Sequence, residues 1–99
     1  MFKVSSDKRI EKFLERLSAE DKARVNRTVQ LFKDKGFSLD ERYLKKLNKL
    51  IWELRPGRIR LLLGTVNNEA IVVNAFIKKA QKTPKREIDL ALERLRKYL

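Results

Sequence analysis

The stretch Glu53-Leu54-Arg55-Pro56-Gly57-Arg58-Ile59-Arg60 sets one carboxylate among three guanidinium groups. Read as two strands joined by a two-residue Pro56-Gly57 loop, it places Arg55 opposite Arg58, Leu54 opposite Ile59, Glu53 opposite Arg60 and Trp52 opposite Leu61. Side chains along a strand alternate faces with period two, so Glu53, Arg55, Arg58 and Arg60 are expected to share a face. With a third strand in the same kind of register, Ala75 lies beside Arg60, Gly64 lies further along the middle strand, and Lys79 points the same way. Leu62, Ile71 and Val73 continue that face as an apolar floor. A carboxylate can accept a proton and a group of cations can hold an anion, so function is expected there.

Composition narrows the chemistry. The chain has no Cys, which excludes disulfides, thiolate ligands and a Cys nucleophile together. It has no His either, so acid–base work falls to Glu, Asp, Lys, Arg or Tyr. The acidic residues are scattered without metal-ligand spacing, and neither a metal nor a cofactor is expected. With 25 Lys+Arg against 13 Asp+Glu the formal charge is +12, which draws the protein to polyanions before any specific contact forms. No apolar run approaches the roughly 20 residues needed to span a bilayer, and residues 1–4 lead into polar ones without the outline of a signal peptide. A cytoplasmic protein without a membrane partner is therefore expected.

The elements that must position the basic face follow from patterning. Residues 50–81 hold most of the β-branched and long apolar side chains, and turn signals at Pro56-Gly57 and Asn67-Asn68 divide them into strands over 50–55, 58–66 and 69–77. Trp52, Leu54, Ile59, Leu61, Leu63, Val72 and Phe76 are expected on the core face as packing residues, with Asn74 its polar exception. Residues 2–4 could add a short edge strand. Ser5, Ser6 and Asp7 offer caps to a first helix over 7–17, whose stripe is Ile10, Phe13, Leu14 and Leu17. Ser18 caps a second helix that presents Ala23, Val25, Val29 and Phe32, turns Lys22 to solvent and ends at Gly36. Residues 37–48 fit either a short helical turn or an ordered loop. Thr83 as cap and Pro84 as first residue open a last helix with the stripe Ile88, Ala91, Leu92, Leu95 and Leu99. The expectation is one α+β domain over residues 1–99, a helical hairpin and a C-terminal helix packed with a three- to four-stranded antiparallel sheet.

This order of elements on a small basic chain resembles the RelE/ParE toxin superfamily. The words Trp52-Glu53-Leu54-Arg55, Arg58-Ile59-Arg60 and Phe76-Ile77-Lys78-Lys79-Ala80-Gln81-Lys82-Thr83-Pro84 resemble its HigB-like, phage Gp49-related branch. The resemblance implies a RelE-like fold and an mRNA interferase acting on messenger RNA at the ribosome, held inactive by a helix-turn-helix antitoxin. It implies metal-independent cleavage by attack of a ribose 2′-hydroxyl on the adjacent phosphate. Carried over by position, Glu53 matches the strand residue that resembles the general base of several relatives and Arg60 the phosphate clamp, while Lys79 falls near the basic residue at the end of the last strand that stabilises the leaving group. Because the chain lacks the His that many relatives use, and Tyr98 lies on the last helix, Lys79, Lys82 or Arg86 acts as a cationic acid or water supplies the proton.

Around these three, Arg55, Arg58, Lys78, Lys82 and Arg86 are candidates for RNA phosphate contacts, beside Lys85 in the same cluster. Lys45, Lys46 and Lys49 are either solvated surface or contacts to ribosomal RNA. Two other functions stay open: a ParE-like toxin that inhibits gyrase by protein contact, and an RNA-binding family member that does not cleave.

Overall fold

The chain's polar punctuation sets its first half. In a computed structural model that describes residues 2–99, Asp7 accepts a hydrogen bond from the Arg9 amide and starts α1 (Lys8–Glu15). Ser18 does the same for the Asp21 amide and starts α2 (Ala19–Lys35). Gly36 closes α2 at φ 59°, a backbone conformation that costs any other residue more, and donates its amide to Phe32. Lys22 is exposed as expected. Met1 lies outside the described residues.

The sheet has five strands and is mixed, where three or four antiparallel ones were expected. Its order is β1 (Val4–Ser6), β5 (Glu69–Ile77), β4 (Ile59–Val66), β3 (Trp52–Leu54) and β2 (Leu44–Lys46), with β1 parallel to β5 and the other pairs antiparallel. The extra strand, β2, comes from the segment expected as helical turn or loop. Leu44, Lys45 and Lys46 are drawn into extended backbone by pairing with β3, one case of tertiary context overriding a weak local pattern.

Two departures in register decide which residues meet. Leu54 pairs with Leu61 and Glu53 with Leu62, two residues off the expected alignment. The cause is the turn: Ile59 donates to the Pro56 carbonyl, so Gly57, at φ 58°, and Arg58 are its central residues, not Pro56 and Gly57. An even shift keeps every side chain on its face, and Glu53 and Arg60 still share one. The Asn67-Asn68 hairpin forms as expected, both residues at positive φ. Beyond it, however, the β4–β5 pairing slips by one residue between Leu62 and Leu63. This bulge around Val73 reverses the alternation of the rest of β5. Asn74 and Phe76, expected on the core face of Trp52 and Leu54, therefore turn to the Glu53 side, and Ala75 turns away from it.

Helices cover both faces. Against α1 and α2 lie Leu54, Ile59, Leu61, Leu63 and Val72, with Ile10, Val25 and Phe32 from the hairpin. Trp52 packs there as expected, its ring centroid 4.9 Å from that of Phe37. On the opposite face, Ala91 and Leu95 of α3 (Lys85–Arg96) bury Ile51, Leu62, Ile71 and Val73. Leu99, expected in that stripe, is 70% exposed. The apolar floor of the expected functional face is thus roofed by α3. Gly64 belongs to that contact: a Cβ there would sit 2.6 Å from a Leu95 methyl. Among the described residues no helix is long and apolar enough to cross a membrane.

Candidate nucleic-acid interface

Because α3 occupies the middle of the face, what remains open is its end. There a cleft of about 470 Å³ lies between the end of β5, the connection leading to α3 and the first turn of α3. Five cations line it: Arg60 from β4, Lys78, Lys79 and Lys82 from the connection, and Arg86 from α3. Glu87 is the one carboxylate on its wall, and Asn74 donates to both its side chain, at 3.1 Å, and its backbone carbonyl, at 2.9 Å. Phe13 and Phe76 supply apolar wall, so Phe76 borders the cleft instead of lying in the larger core. The open N-terminal end of α3 adds the positive end of a helix dipole on the same side.

Arg60 is half-buried at the cleft's inner edge. Its Nη1 donates to the Gly57 and Ile59 carbonyls at 2.7 and 2.9 Å, which fixes the guanidinium against the turn. Among the described residues, Nε and Nη2 have no acceptor, which leaves that edge of the planar fork able to hold two oxygens of one phosphate. Burial lowers the pKa of Arg60, the Glu53 charge opposes this, and Arg55 adds to the lowering. The group remains a cation at any ordinary pH.

Glu53 shares the face with Arg60 but does not pair with it as expected. It is 1% exposed, and both of its oxygens are engaged: Oε1 accepts from Arg55 Nε at 2.9 Å and Oε2 accepts from the Thr83 hydroxyl. Arg55 also reaches the Glu41 carbonyl at 3.4 Å. The connection from β5 to α3 therefore crosses the sheet end and is tied to β3 through Thr83. This accounts for a second departure from expectation. Thr83 does not cap α3, whose cap position is Pro84 with no side-chain bond. Burying the Glu53 carboxylate requires a donor, and the hydroxyl serves it instead.

Several candidates lie elsewhere. Arg58, expected beside Glu53, turns toward α2, where Nε and Nη2 both bond Asp21 Oδ2, at 3.1 and 2.8 Å. Lys46 pairs with Trp52 and lies over its ring at 5.6 Å, on the hairpin side of the sheet. Lys45 pairs with Glu53 and shares its face on the edge strand. Lys49 is exposed near the tip between β2 and β3. Lys79 lies beyond the end of β5, so the connection and not the pleat carries it into the cleft. Of the candidates, Arg60, Lys78, Lys79, Lys82 and Arg86 line one cleft, with Glu53 beneath the connection that carries the lysines.

Residues 12–96 match the family described as phage derived protein Gp49-like (DUF891). The chain belongs to this family. The Gp49-like family is related to the RelE-like toxin group, and membership is consistent with the toxin of a toxin–antitoxin pair. No curated protein matches the chain. Among the described residues no group of three or more carboxylates could hold a metal ion.

Proposed function

We propose that this Gp49-like chain is the toxin of a type II toxin–antitoxin pair and cleaves messenger RNA engaged by the ribosome. The observation that carries the reading is the five-cation cleft set against a carboxylate on the same sheet face. Such a cleft attracts a phosphodiester backbone, and the +12 charge brings the RNA to it. Arg60 clamps the scissile phosphate through its unoccupied fork. Glu53, once uncovered, takes the ribose 2′-proton as the 2′-oxygen bonds to phosphorus. The bond from phosphorus to the 5′-oxygen breaks, and that oxygen takes a proton from Lys79, Lys82, Arg86 or water, leaving a 2′,3′-cyclic phosphate. The setting would be the cytoplasm, and a helix-turn-helix antitoxin would hold the protein inactive.

The test is controlled expression with mapping of RNA 5′ ends, for the wild type and for Arg60→Ala. New ends in translated messages are expected with the wild type, and their loss by at least a hundredfold with a folded R60A protein. Cleavage by R60A at the wild-type rate defeats the proposal. The burial of Glu53 favours a second reading, an RNA-binding family member that does not cleave, which predicts tight RNA binding with no new ends and no growth arrest. Inhibition of supercoiling without either effect would point to the gyrase-directed branch of the superfamily.

A further inference from the structure

Thr83 and a ribose 2′-hydroxyl are chemically the same donor, an O–H on an sp³ carbon. The Thr83 hydroxyl is bonded to Glu53 Oε2, while Arg55 holds Oε1. At 1% exposure Glu53 has no room for a substrate hydroxyl until the connection that carries Thr83 moves off Oε2. We infer that Thr83 is a positioning residue that acts as a latch: it occupies the 2′-hydroxyl's place on Glu53 in the free protein and is displaced by RNA. The inference rests on the proposed function and deepens it.

The placement of the lysines supplies the force. Thr83 sits at the end of the exposed connection that carries Lys78, Lys79 and Lys82, the groups nearest an incoming backbone. Phosphates that draw these lysines outward pull on the segment that ends in the latch. An anion that cannot engage the connection leaves Glu53 covered, so the carboxylate is confined to substrates long enough to span it. Glu53 keeps its bond to Arg55 throughout, which holds the open oxygen in place.

The experiment compares full-length wild type, Thr83→Val and Thr83→Ser on message-programmed ribosomes, with carbodiimide labelling of Glu53 read by mass spectrometry in the absence of RNA. Valine keeps the shape and removes the donor. T83V should raise kcat/KM by about tenfold, the factor set by one hydrogen bond to a charged group, and raise labelling of Glu53 by a similar factor. T83S restores the hydroxyl and should return both values to those of the wild type. A Thr83 that merely supports the fold would lower activity in T83V and leave labelling unchanged. Wild-type cleavage with no gain in a folded T83V, or failure of T83S to restore it, overturns the latch alone. Absence of cleavage by all three proteins overturns the proposed function and the latch with it.

Discussion

At the scale of single residues, the arginines of the 53–60 stretch divide by partner. Arg55 is spent on Glu53 and Arg58 on Asp21, which leaves Arg60 facing the cleft. The division could not be read from alternation, because Arg58 sits in the turn, where a side chain follows the local backbone and not the pleat. Asp21 gave no signal either, since an acid in the first turn of a helix is ordinary and its partner lies 37 residues away. The pair makes a testable contribution. The Arg58 guanidinium, by hydrogen bond and charge, holds the Asp21 carboxyl below its ordinary 3.8 against the opposing effect of burial. A carboxyl lowered in the folded state contributes stability above its unfolded pKa and loses it as pH falls through the folded value. Asp21→Asn should therefore melt at a lower temperature than the wild type at pH 7, and the two melting curves should converge as pH falls below 3.8 and through the lowered folded value. Arg58→Gln should reproduce the loss of stability without weakening RNA binding, since Arg58 does not line the cleft.

At the scale of elements, what was legible and what was not have one physical explanation. Caps, hairpin turns and helical stripes are local, and Asp7, Ser18, Gly36 and Asn67-Asn68 stand where the pattern put them. The bulge in β5 has no local signature. It inserts a residue into an apolar run, Ile71-Val72-Val73, in which every register is equally hydrophobic, and only pairing with β4 and packing under α3 choose one. Arg94 of α3 completes that choice by donating to the Val73 carbonyl at 2.9 Å, a buried group in the irregular part of the ladder. The two small residues of the basic face divide for the same reason: Gly64 stays on it and admits Leu95, whereas Ala75, beyond the bulge, faces the hairpin. Gly64→Val should accordingly force α3 off the sheet, at a cost of about 1–3 kcal/mol for overpacking a close contact. For a chain of this size each kcal/mol lowers the melting temperature by roughly 4–8 °C, which thermal unfolding would measure. Because α3 also carries Arg86 and Glu87 to the cleft, G64V should weaken RNA binding as well, while a wild-type melting temperature would show that the contact does not hold α3.

At the scale of the molecule, the question is how a +12 chain turns general attraction into binding at one place. Charge alone would spread a polyanion over the surface, since cations lie on all three helices, on β2 and β4 and in the connections between elements. The fold limits this mainly by gathering five cations at the cleft, while a few others pair with nearby acids, such as Arg42 with Asp40 and Lys85 with Asp89. The distinction has a measurable form. If a short single-stranded RNA binds through the five cleft cations, the logarithm of its association constant should fall against the logarithm of salt concentration with a slope of about −3.5. Removing one contributing cation, as in Lys82→Ala, should make the slope shallower by about 0.7, because one fewer counterion is displaced. Lys46→Ala should leave the slope unchanged, since Lys46 stands over Trp52 on the other side of the sheet. A slope twice as steep, with equal losses at Lys46 and Lys82, would mean that RNA wraps the whole basic surface and that the cleft has no privileged part in binding.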